Sequence, residues 1–144
     1  MKELFIVISL CFIGFGTIHG STPEKTAVWN EYIEIRNMVN TNDFEKTLAM
    51  IESFEGYAQY PDIHCHTLIM KVHCSLQMSQ RDSVQYWLDK AEVLINENRL
   101  DSLKAHLYRH KGISYFNSYN FNAAIPFLLE GLNFAHIIIH FREV

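Results

Sequence analysis

From residue 28 onward, apolar side chains recur at helical rather than alternating spacing, in six stretches of about 12 to 16 residues divided by short polar breaks. No other feature restricts the fold so strongly, because a strand needs period two and these stretches lack it. The first stretch, Trp29–Val39, carries Trp29, Tyr32, Ile33, Ile35, Met38 and Val39. After the break at 40–43, Asn42 followed by Glu45 three residues on reads as the capping-box start of a second helix. That helix continues through Phe44, Leu48, Ile51, Phe54 and Tyr57 or Ala58. Tyr60-Pro61-Asp62 is the next break, and Leu68–Met78 the third helix. Ser79 and Asp82 open a fourth, with Val84, Trp87, Leu88, Ala91 and Leu94 or Ile95 on its apolar face. Leu103–Phe116 and Asn122–Phe134 are the fifth and sixth, and Pro126 predicts a slight bend in the last. Short connections between helices make sequence neighbours antiparallel.

The chain, 144 residues long, is sized for one domain, and 49% hydrophobic against 19% charged residues is the balance of a folded chain. Its net charge is −4, with 12 Lys and Arg scattered among 16 Asp and Glu, so the basic stripe of a nucleic-acid binder is missing. Ahead of the helices, Leu4 to Ile18 is uncharged and, apart from Ser9 and Thr17, apolar. About 15 residues is short of the roughly 20 a membrane span needs but suits a secretory leader. Residues 1–20 therefore read as a signal peptide cut after Gly20, and the chain as exported to a periplasm or cell surface; an uncleaved anchor is the alternative. Leu10, large and apolar before Cys11, argues against lipidation. Loss of Cys11 with the leader leaves Cys65 and Cys74. Nine residues along one helix place them about 13 Å apart, whereas a disulfide needs Cα atoms within about 7 Å. Two free, buried thiols are expected, with pairing between molecules as the alternative.

The helices also repeat in pairs. Counted from Ala105 as position one of a 34-residue unit, Tyr108 falls at four, Gly112 at eight, Tyr115 at eleven, Phe121 at seventeen, Ala124 at twenty, Leu128 at twenty-four and Gly131 at twenty-seven. This resembles the tetratricopeptide repeat (TPR), in which small residues at eight and twenty let the two helices approach and large ones fill the gaps between units. From Cys65, the second unit has Leu68, Val84, Leu88 and Ala91 at four, twenty, twenty-four and twenty-seven, while Val72 and Ser75 depart from the pattern. Its string from Asp82 to Ala91 is similar to the second helix of TPRs in exported bacterial proteins. A unit counted from Val28 keeps Met38, Phe44 and Ile51 in place but departs at Glu31, Ile35, Thr47 and Phe54. The resemblance divides the chain into units at 28–61, 65–98 and 105–138 and implies antiparallel helix pairs stacked as a short right-handed superhelix of about three repeats.

Chemistry-bearing patterns are missing. His106 and His110, and His136 and His140, stand four apart, a metal-ligand spacing, but Leu107 and Ile137 follow where a zinc protease needs Glu. His64, Cys65, His66, His73 and Cys74 fall in two groups about two helical turns apart. The six glycines are dispersed, which excludes a phosphate loop, and no serine lies in a nucleophile motif. The expectation is a protein without catalysis, cofactor or metal.

Carried over from the TPR resemblance, the first helix of each unit lines a concave groove. The positions concerned are Trp29, Tyr32, Arg36 and Asn40, then His66, Ile69, His73 and Gln77, then His106, Arg109, Ile113 and Asn117. Val39, Leu76 and Phe116 also fall at such positions but read as packing residues. Aromatic anchors, two arginines and amides suit recognition of a protein or peptide. If the three groove histidines are open to solvent, they predict a response near pH 6 to 7. The resemblance implies a binding adaptor or sensor arm in a bacterial cell envelope, like the N-terminal arms of TPR-containing signalling proteins. The alternative is a truncated piece of a longer regulator without a function of its own. The apolar ending from Ala135 to Val144 predicts self-association through an uncovered last helix pair.

Overall fold

The computed structural model describes residues 24–54 and 57–142, with side-chain surroundings described to residue 137; the leader read at 1–20 lies outside the described residues. Those residues form α1 (Lys25–Met38), α2 (Phe44–Ser53), α3 (Pro61–Gln77), α4 (Arg81–Asn98), α5 (Lys104–Asn117) and α6 (Phe121–Arg142). Single 3-10 turns, Val39–Thr41, Tyr57–Gln59 and Asp101–Leu103, lie in the connections. Pairing is closest within α3/α4 and α5/α6. The odd-numbered helices touch in succession, α1 on α3 and α3 on α5, and so form one row.

The ends of the helices differ from the sequence reading for local reasons. Asn42 is not the cap of α2: it takes φ 59°, a left-handed conformation that Asn tolerates better than most residues. Asp43 is the cap, its Oδ1 accepting the Lys46 N–H at 3.1 Å. Helix α2 stops at Ser53, and Phe54 turns extended (φ −72°, ψ 110°), so Tyr57 and Ala58 belong to a separate 3-10 turn. Helix α3 begins at Pro61 rather than Leu68, since proline's missing N–H is harmless at the first helical position. At the end of α4, Arg99 takes φ 54° and the Leu100 N–H reaches the Ile95 carbonyl at 3.0 Å, which satisfies an orphan carbonyl.

Helix α3 is the centre of the molecule. One side packs Cys65, Leu68, Ile69 and Val72 against Val84, Leu88, Ala91 and Ile95 of α4 and Leu107 of α5. The other packs Ile63, Met70 and Cys74 against Val28, Tyr32 and Ile35 of α1 and Ile51 of α2. Packing on two sides explains why α3 is buried nearly all round, polar Thr67 and Ser75 included. Both thiols are free and buried, and burial pushes Cys65 up to about 12 and Cys74 up to about 11. Lys25 pairs with Asp62 at 2.8 Å and Lys111 with Glu92 at 2.7 Å, ties from α1 to α3 and from α4 to α5.

Small residues set the distance between α5 and α6. A Cβ on Gly112 would lie 2.5 Å from Leu128 Cγ, and one on Gly131 3.1 Å from the Arg109 backbone nitrogen. Ala124 is buried at the same contact face. Around them, Tyr108 stacks on Phe134 at 5.5 Å and Tyr115 on Phe127 at 5.3 Å between ring centroids. The outer side of α6 has no such cover. Ile125, Leu129 and Leu132 form an exposed row at helical spacing, Leu132 being 63% exposed, and Ile137 is exposed on another side of α6. No described helix is long and apolar enough to cross a membrane.

Candidate binding groove

The row of odd-numbered helices carries a groove of about 380 Å³. Tyr32, Arg36 and Asn40 come to it from α1 and the turn after it, His66, Ile69 and His73 from α3, and His106 and Arg109 from α5. Steps of three or four residues put these positions on one face. The other four expected positions fall at the ends. Trp29 lies beside the groove, its ring 5.2 Å from Tyr32 and 5.4 Å from His66. Gln77 is exposed in the last turn of α3, and Ile113 is half-buried on α5. Asn117 lines a separate recess with Ser75, Arg81 and Gln85.

The eight residues divide by burial. Tyr32 is 5% exposed and Ile69 8%, so they are the packed floor rather than free anchors. Arg36, Asn40, His106 and Arg109 are exposed, and His66 and His73 half-buried. Of the three residues read as packing, Val39 and Leu76 are half-buried against the core. Phe116 is instead 55% exposed, its ring 5.1 Å from Phe121.

Asn37, Met70 and His110 also line the groove. His110 could have been found from its place one turn after His106, a spacing that the sequence reading weighed only for metal. Its Nδ1–H donates to the His106 carbonyl at 2.8 Å, and its ring meets His73 edge-on at 6.0 Å. Burial, with Arg109 and His73 nearby, lowers His110 to about 4. Burial also lowers His66, His73 and His106, aided by His106 beside His66 and by Arg109 beside the other two. The expected response near pH 6 to 7 is therefore corrected downward: these rings stay neutral to more acidic values.

The groove has one sign of charge. No Asp or Glu lines it, and among the described residues neither Arg36 nor Arg109 has a carboxylate within 4.0 Å. At its far end, His66, His106 and Arg109 also border a cleft of about 780 Å³ between α5 and α6, walled by Leu103, Leu128 and Leu132. Among the described residues no three His, Cys, Asp or Glu side chains converge as a metal site.

Fold and groove define a class: an all-helical protein of paired helices, with a cationic groove across the row of first helices. No family model, curated protein or solved structure matches the chain.

Proposed function

We propose that the chain is a non-catalytic, TPR-like binding module of a bacterial cell envelope, and that its groove takes an extended peptide bearing carboxylates. The observation that carries this reading is the meeting of two guanidinium groups, Arg36 and Arg109, unpaired among the described residues, with four histidines on one face free of described acids, in a chain whose net charge is −4. An arginine fork grips a carboxylate through two parallel hydrogen bonds, and the half-buried rings of His66 and His73 supply flat apolar surface beside it. The cleft walled by Leu128 and Leu132 suits a large apolar side chain of the same peptide. The paired helices and the close approach at Gly112 and Gly131 support the TPR-like reading, and the uncharged run from Leu4 to Ile18 supports export. Self-association belongs to the exposed row on α6.

The test is fluorescence anisotropy with labelled peptides that alternate Glu and Leu, against peptides with Gln in place of Glu. Arg36→Gln and Arg109→Gln should each weaken the acidic peptide at least about ten-fold, since a hydrogen bond to a charged group contributes about 1.5–3 kcal/mol. Lys46→Gln, exposed on α2 and outside the groove, is the control. Equal binding of the Glu and Gln peptides would sink the proposal.

A further inference from the structure

On the opposite side of α3 from the groove lies a second pocket, of about 610 Å³, between α3, α4 and the 3-10 turn at Tyr57–Gln59. His66 and Lys71 are five residues apart, which turns their side chains about 140° from each other round the helix. Lys71 projects into this pocket and is only 8% exposed. Its Nζ sits 4.3 Å from the centre of the Trp87 ring. Lys90 approaches the same ring at 5.7 Å and the Tyr86 ring at 4.6 Å. Among the described residues, neither ammonium has a carboxylate within 4.0 Å. Two acids also line the pocket, Asp89, which accepts from Gln85 Nε2 at 2.7 Å, and the exposed Glu97.

The stem of Lys71 is buried while its ammonium opens into the pocket, with no hydrogen-bond acceptor among the described residues. Its three donors are free for an acceptor that enters the pocket. The neighbours add to the positive field. Burial first, then Lys71 and Lys90, lower His64 on the same wall, and Lys71 is itself lowered by burial and by Lys90, against an opposing pull from Glu52. Beside the cations, Tyr86 is half exposed, and Val93, also exposed, joins Leu68 and Leu94 in an apolar lining. Fixed cations next to open aromatic surface are complementary to a molecule with an anionic head and an apolar body.

We propose that this pocket binds a small amphipathic carboxylate, its head between the Lys71 and Lys90 ammonium groups and its apolar body on Trp87, Tyr86 and Val93. The site is separate from the groove and stands whether or not the groove binds peptide.

Phenylacetate is the probe, with phenylacetamide lacking the charge and acetate lacking the apolar body. Emission from Trp87 is the signal, isolated by Trp29→Phe, since the chain has two tryptophans. Phenylacetate should give a saturable change at concentrations up to the order of 10 mM, and each control should bind at least about ten-fold more weakly. Lys71→Met should abolish the response at unchanged helical content and melting temperature, because methionine keeps the buried stem and removes only the charge. Arg109→Gln should leave the response unchanged. The proposal is overturned if phenylacetate gives no saturable change, if either control matches it, or if Lys71→Met unfolds the chain.

Discussion

Replacing Gly112 with alanine sets two effects of known sign against each other. Alanine is better than glycine inside a helix by about 1 kcal/mol. The added Cβ, however, would stand 2.5 Å from Leu128 Cγ, 2.6 Å from its Cδ2 and 3.2 Å from its backbone nitrogen. A terminal methyl could swing aside, but Cγ moves only if χ1 leaves its rotamer in a packed contact and the backbone nitrogen only with α6, so relief strains the side chain or parts the helices. Overpacking of this kind costs about 1–3 kcal/mol, and the net expectation is a loss of about 1 kcal/mol. Leu128→Ala removes Cγ and Cδ2 and leaves only the 3.2 Å contact. In that background Gly112→Ala should be neutral or stabilise by up to about 1 kcal/mol. Urea unfolding of the four chains, read as midpoints at constant m, gives the cycle. Should Gly112→Ala stabilise the parent chain by about 1 kcal/mol, the close approach of α5 and α6 is wrong.

Acidification should destabilise the fold. Unfolded His110 takes up a proton near 6.5 and folded His110 only at about 4, so stability is lost as pH falls through that window. At 1.36 kcal/mol per pH unit the loss approaches roughly 3 kcal/mol. His110→Asn should flatten the dependence of the urea midpoint on pH, and an unchanged slope would count against a buried neutral imidazole. If the row on α6 mediates self-association, sedimentation of the parent chain should show mass rising with concentration, and Leu132→Glu should hold it at monomer; a monomeric parent removes that reading. Protein recovered from its native host should start at Ser21 by mass spectrometry, and an intact Met1 would exclude cleavage.

Periodicity made six helices legible because each buries a stripe: Val84, Leu88, Ala91 and Ile95 keep one side of α4 in the core as their spacing predicts. Boundaries were less legible because one residue type serves opposite purposes. Pro61 reads equally as a breaker and as a first helical residue, and Asn42 equally as a cap and as a left-handed turn residue. Burial was ambiguous where a stripe is wide. Tyr32 and Arg36 lie one turn apart on α1, yet the first is core and the second open, a difference set by how deeply α3 packs against each turn. The row from Ile125 to Leu132 is apolar and yet lies exposed, since no helix among the described residues packs over it. The lysine pair around Trp87 left no pattern in sequence: Lys71 and Trp87 meet only because α3 and α4 pack side by side.

Chemical-shift mapping of the isotope-labelled chain with an acidic Glu/Leu peptide tests the groove most directly. The account predicts saturable shifts at the Arg36 and Arg109 guanidinium groups and the His66 and His73 rings, with weaker binding as salt rises. Shifts confined to the outer helices, around Lys46 or Glu130, or absent with any peptide, would contradict it.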